Sequence, residues 1–199
     1  HFLSGQGSPR ILDIGCGTGN ASAELLKLIP GARITCLDGS KEMLSAARGK
    51  LTSTVEDFHW LDLTDHGWEK TWAGDTFDAA FSVFVLEHLP FDAYQAFLRS
   101  VWGILKPGAP LVTAEGYGGQ LNQTLFFDEM AQCEEQALRR ESINPRELAE
   151  TKEMSTEKER HYFTEMDEKK RWWRDAGLVD VNFIWQYYCL AILAGQKPR

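Results

Sequence analysis

The stretch Ile11-Leu12-Asp13-Ile14-Gly15-Cys16-Gly17-Thr18-Gly19-Asn20 decides the fold. Apolar residues run into an acid, three glycines alternate with small residues, and a helical pattern follows at once. Such glycines let a backbone turn tightly and approach a ligand that a Cβ would hold off. The helix behind them aims its N-terminal amides, with their partial positive charge, into the same space. Strand, glycine turn and helix start together make a nucleotide cradle.

Downstream, Arg33 to Leu37 reads as a second strand that ends at Asp38. An acid at the carboxyl end of a second strand, about 20 residues past the glycines, suits the two hydroxyls of a ribose. Asp38 could instead cap the next helix, but Ser40 is the better N-cap, which leaves Asp38 for the ligand. The loop is G-x-G-x-G, whereas dinucleotide enzymes use G-x-G-x-x-G. Asp13, two residues before the first glycine, would oppose a pyrophosphate. It favours a cationic ligand there, or else it braces the loop amides.

At this point the residues resemble the class I S-adenosylmethionine-dependent methyltransferases, whose first motif is similar to Leu12-Asp13-Ile14-Gly15-Cys16-Gly17-Thr18-Gly19. The resemblance continues in order. Asp38 stands at the second strand end, Trp60-Leu61-Asp62-Leu63 at the third, Phe77-Asp78-Ala79-Ala80-Phe81 at the fourth, and Leu105-Lys106-Pro107-Gly108-Ala109 before the fifth. It runs strongly from Arg10 to Glu115 and more weakly through the closing segment. The ending from Trp185 to Gly195 is also similar to the branch related to carboxy-SAM synthase, although Val83 stands where that enzyme has an asparagine.

Alternating strand and helix patterns independently indicate a parallel sheet with helices on both faces. Strands are expected at Arg10 to Ile14, Ala32 to Leu37, Glu56 to Leu61, Phe77 to Val83 and Ala109 to Glu115. Helices are expected from Thr18 to Ile29, Ser40 to Arg48 and Phe91 to Leu105. The region 116–170 is longer than an ordinary connection and reads as a charged helical insertion over the carboxyl ends of the strands, a substrate lid. Val179 to Trp185 and Tyr187 to Ala194 leave no room for a helix between them, so they form an antiparallel hairpin. The family resemblance implies a Rossmann-like α/β fold in one domain, residues 1–199, with seven strands in the order 3-2-1-4-5-7-6.

Composition narrows the function. The 199 residues suffice for one domain with a substantial core. A net charge of −8 disfavours a nucleic-acid partner. No apolar run approaches the roughly 18 residues needed to span a bilayer, and the first residues carry no secretion signal. Cys16, Cys36, Cys133 and Cys189 form no CxxC pair and have no histidines at zinc spacing. They read as buried free thiols, no metal is expected, and the setting is a reducing, cytoplasmic one.

The resemblance also assigns the site. The cofactor it implies is S-adenosylmethionine. Gly15, Cys16 and Gly17 would pass under its methionine part and ribose, with Asp13 bracing the loop or holding the amino group. Asp38 would take the ribose hydroxyls, and Gly39 and Met43 would line the adenine. Asp62 would accept from the adenine amino group beside the amide of Leu63, unless Asp62 caps the next helix instead. Val83 would floor the space near the sulfur. Glu87 and His88, after the fourth strand, are candidate bases, since a histidine suits proton removal near neutral pH. Glu115, Tyr117 and His161 are candidate substrate contacts. The expected activity is methyl transfer to an O or N of a small molecule by a monomer or homodimer. A carboxy-SAM synthase, an NAD-dependent reductase and a non-catalytic SAM-binding subunit are the rival readings.

Overall fold

A computed structural model describes residues 7–51, 55–65, 67–72, 76–118, 124–125, 128–129 and 163–199. Most of the expected insertion and His161 lie outside these residues, as do Cys133 and Arg139, Arg140 and Arg146, the candidate cations of the carboxy-SAM synthase reading.

Seven strands form one sheet in the order β3-β2-β1-β4-β5-β7-β6. They are β1 (Arg10–Ile14), β2 (Arg33–Asp38), β3 (Val55–Trp60), β4 (Ala79–Val83), β5 (Pro110–Gly116), β6 (Val179–Tyr187) and β7 (Leu190–Gln196). The first five pair in parallel, and β7 runs antiparallel to both β5 and β6. Central β1 is buried almost throughout, as a strand covered on both faces must be.

Alternation along the strands divides the core in two. Leu12, Ile14, Leu37, Ala80, Leu111 and Leu193 face α3 (Phe91–Ile104), α4 (Met166–Asp175) and the 3-10 turn Trp68–Trp72. Ile11, Ile34, Cys36 and Ala79 face α1 (Asn20–Leu28) and α2 (Lys41–Lys50). Ser40 caps α2, its hydroxyl accepting from the Met43 amide at 3.2 Å. Helix α4 ends at Gly177, whose φ of 93° lets the Leu178 amide reach back to the Trp173 carbonyl.

Most boundaries lie within two residues of the sequence reading, and two of the differences have a clear cause. The fourth strand begins at Ala79, not Phe77, because Asp78 turns aside and its carboxylate accepts from the Arg10 amide and the Lys106 ammonium. The hairpin turns at Tyr188-Cys189 rather than at Gln186, since Tyr187 still pairs with Leu190 and Tyr188 takes φ 50°.

Residues 166–170, placed in the insertion by the sequence, belong to α4 and the body of the fold. Lys169 is 1% exposed. Its ammonium meets the Glu115 carboxylate at 2.7 Å and lies 3.4 Å from the Tyr94 ring centre. The Tyr94 hydroxyl donates to the other Glu115 oxygen and accepts from Trp173 Nε1. One buried pair thus ties α4 to β5 and α3. Replacing one partner leaves an uncompensated charge in the core. Lys169→Met is expected to cost about 3–5 kcal/mol in urea unfolding. The double variant with Glu115→Leu should recover part of that loss, because the carboxylate bonded to the ammonium is removed with it while Glu87 keeps the Gly116 amide.

Candidate functional site

The carboxyl ends of β1, β2 and β4 converge on the glycine loop, and β2 holds it. The Leu37 carbonyl accepts from both the Gly15 and Cys16 amides, at 2.9 and 3.0 Å. Asp38 then bridges two loops, with Oδ2 accepting from the Gly17 amide and Oδ1 from the Ser40 amide, each at 2.8 Å. A carboxylate has about four acceptor positions, so two amide bonds leave capacity for hydroxyl donors.

The glycines do different work. At Gly15 a Cβ would stand 2.3 Å from Val85 Cγ2, so the loop packs against the turn after β4. At Gly17 nothing described lies within 4 Å of that position, and φ is +53°. Gly17 is therefore the place where the loop can meet a ligand. Cys16 turns its thiol into the core under α1 and α2, so it can offer the site its backbone but not its sulfur. Burial, the neighbouring Cys36 and the charges of Asp13 and Asp38 all push that thiol far up, so it remains neutral.

Asp13 is 1% exposed and accepts from the Ser22 hydroxyl of α1 at 2.5 Å. It bonds none of the loop amides, which Leu37 and Asp38 take, so the expected bracing passes to α1. Burial raises its pKa to about 7, against the lowering hydrogen bond from Ser22 and with help from the charge of Asp38.

The adenine corner is only partly as expected. Gly39 is open apart from the Leu61 carbonyl, 3.8 Å from where a Cβ would stand. Met43 is 45% exposed, which removes a core role. Asp62 uses Oδ1 to accept the Thr64 amide and hydroxyl at 2.8 and 2.7 Å, so that oxygen closes a local turn rather than capping a helix. The Leu63 side chain packs against the core, and its amide donates to no group among the described residues. Trp60, passed over as a site residue, is 58% exposed and donates Nε1 to the Gly39 carbonyl. Lys41 stacks its ammonium 4.0 Å from that ring centre. Its place in the third-strand motif, next to Asp62, was the available signal.

On the acceptor side the structure corrects three calls. Glu87 is buried, and its Oε2 accepts from the Gly116 amide at 2.6 Å, so the carboxylate ties the turn after β4 to the end of β5. Glu115 is consumed by Lys169 and Tyr94. Tyr117 is 1% exposed with its ring edge-on to Phe183 at 5.0 Å, and burial with the Glu115 charge keeps its phenol protonated. Glu115 and Tyr117 turn inward because their backbone lies where β5 meets α4 and the hairpin. His88 is half-buried in the same 3-10 turn as Glu87. Val83 is exposed at the end of β4, as expected.

Phe84, which the sequence did not mark, follows with φ 54° and 48% exposure. A bulky residue in that region is strained. Its amide donates to the Ala114 carbonyl, which holds the chain in that conformation at the strand end. No sequence signal reveals such a dihedral.

An adenosyl sulfonium fits this donor set. The open face at Gly17, the spare acceptor capacity of Asp38 and the undonated Leu63 amide match the loop approach, the ribose and the adenine edge respectively.

A family profile described as a methyltransferase domain matches residues 12–111. The ubiquinone biosynthesis O-methyltransferase of Xanthomonas oryzae pv. oryzae (strain PXO99A) is 35% identical over 104 residues, 51% of this chain and 41% of that protein. Its counterpart in Nitrosococcus oceani is 34% identical over 99 residues, 50% of this chain and 40% of that protein. The chain thus spans about two fifths of the length of these curated relatives. Among solved structures, an O-methyltransferase family protein from Burkholderia thailandensis superposes with TM-score 0.68 at 18% identity, covering 96% of this chain and 51% of that one. The CurJ carbon methyltransferase gives 0.69 at 16% identity, covering 99% and 50%. These two likenesses bear on the fold.

The raised pKa of Asp13 has a stability consequence. Between about pH 4 and pH 7 the folded chain holds a proton there that the unfolded chain has lost, so stability falls as pH rises through that window. Asp13→Asn keeps an acceptor for Ser22 and cannot ionise. Its thermal midpoint should exceed that of the native chain by several degrees at pH 8, with the gap closing toward pH 4 in scanning calorimetry.

Proposed function

The chain belongs to the methyltransferase-domain family, and from that premise we propose that it moves a methyl group from S-adenosylmethionine to an O or N of a small molecule by in-line displacement. The observation that carries the reading is Asp38, anchored by the Gly17 and Ser40 amides beside the open face of the glycine loop. When bound, the cofactor supplies an electrophilic methyl on a sulfonium. The residues of the chain supply placement. The Asp38 carboxylate accepts the ribose hydroxyls, Gly17 lets the backbone come close, and the Leu63 amide offers a donor at the adenine edge. Val83 and the strained Phe84 form an apolar border at the end of β4.

Holding reactants in line is worth up to about 7–11 kcal/mol, so such a site needs no conspicuous catalytic dyad. That agrees with the inward carboxylates of Glu87 and Glu115. His88 is the remaining candidate base in this turn. The aliphatic and aromatic character of the Val83–Phe84 border favours an acceptor with apolar surface. The buried free thiols Cys16, Cys36 and Cys189 support a reducing, cytoplasmic setting.

Asp38→Ala is expected to weaken S-adenosylmethionine binding about 10- to 100-fold, the loss of one charged hydrogen-bonding group. Isothermal titration of the native and variant chains measures it. An unchanged dissociation constant would remove Asp38 from the site, and absence of any binding to the native chain would overturn the reading.

A further inference from the structure

The glycine loop sits on a buried carboxylate that is bonded to no cation among the described residues. Asp13 is 1% exposed, and its hydrogen-bond partner is the neutral Ser22 hydroxyl. Its neighbours on the sheet are Cys36 in β2 and Phe81 in β4. The Cys36 thiol lies 3.7 Å from Ser22 Oγ, and the Cys16 thiol points into the same cluster. Asp38, of the same sign, lies close enough for its charge to raise the Asp13 pKa. Lys50 of α2 reaches the start of α1 at Thr18 and Asn20, not Asp13, and Glu24 and Lys27 of α1 pair with each other in solvent. Among the described residues, the groups named around Asp13 are therefore neutral or negative, and burial raises its pKa to about 7.

Resting on the cofactor reading above, we propose that Asp13 is a specificity-determining residue that separates the sulfonium cofactor from its neutral thioether product by charge. S-adenosylmethionine carries a positive sulfur and S-adenosylhomocysteine does not, while the rest of the two molecules is alike. In a poorly screened interior a unit charge is felt across several ångströms. The Gly17 face, with no side chain beside it, lets that charge come close to the loop that covers Asp13. A cation on the loop favours the ionised carboxylate, and the proton it releases passes to the buffer. By linkage, an ionised Asp13 holds the cation more tightly by the same factor. The neutral product draws out no proton and gains nothing, so it is held less tightly once the methyl has gone.

The test is isothermal titration of the purified chain with each of the two ligands between pH 5.5 and 7.5, in two buffers of different ionisation heat. The preference for S-adenosylmethionine over S-adenosylhomocysteine should rise about 3- to 10-fold across this range, the effect of moving one group's pKa by up to about one unit. Binding of the sulfonium should release a fraction of a proton near neutral pH. Asp13→Asn, which cannot ionise, should lose the rise, and this control cancels titration of groups on the ligands themselves. Ser22→Ala should displace the rise to higher pH, because it removes the hydrogen bond that favours the charged form. A preference that does not change with pH, or that changes equally in Asp13→Asn, overturns the assignment of Asp13 while leaving the cofactor reading intact. If neither ligand binds, the cofactor reading falls and this inference with it.

Discussion

Four hydrogen bonds at the end of β2 govern the shape of the site. One carbonyl, that of Leu37, accepts two consecutive loop amides, and one carboxylate, that of Asp38, accepts the next exposed amide and the first amide of the following cap. Buried backbone donors need partners, and a chain turning sharply between strand and helix cannot supply them from within. Here the neighbouring strand supplies them. The loop is consequently held in its open form before any ligand arrives, and the group doing the holding retains lone pairs on the side where hydroxyls would come. Preorganisation of this kind lowers the ordering cost of binding.

The second organising feature is an inward turn of charge on the acceptor side. Glu87, Glu115 and Lys169 are all buried, and they join the turn after β4, the end of β5 and helix α4 into one unit. Buried ion pairs of this sort contribute little net stability relative to an apolar core, but breaking one is costly. Their effect is to fix geometry. The border formed by Val83 and Phe84 rests on that unit through the bond from Phe84 to Ala114 in β5. The strain at Phe84 persists because its surroundings over-determine it.

Asp13 adds a third feature, on the α1 side of the loop. It lies under the loop that β2 holds, yet its bond runs to α1, so it belongs to the packing of the cradle as much as to its electrostatics. A carboxylate so placed costs stability when ionised, and a site that keeps it gains sensitivity to the charge of what sits above.

Much of this was legible in the chain itself. The apolar run ending in Asp13 and the glycines marked the first strand and its turn, Asp38 marked the second strand end, and Ser40 was rightly read as the cap of α2. Strand order followed from the resemblance and agrees with the sheet. These features are local, being set by backbone freedom, period-two burial and capping chemistry within a few residues. Where the reading missed, long-range contacts decided. Glu115 and Tyr117 look like rim residues until Lys169, 54 positions after Glu115, and Phe183 come to lie against them. Asp78 leaves the fourth strand because of Arg10, 68 positions away. Sequence alone determined which elements form and where a ligand loop stands. Tertiary structure decided which acids hold the glycine loop and which face the core, since a carboxylate's role depends on the charge and solvent around it.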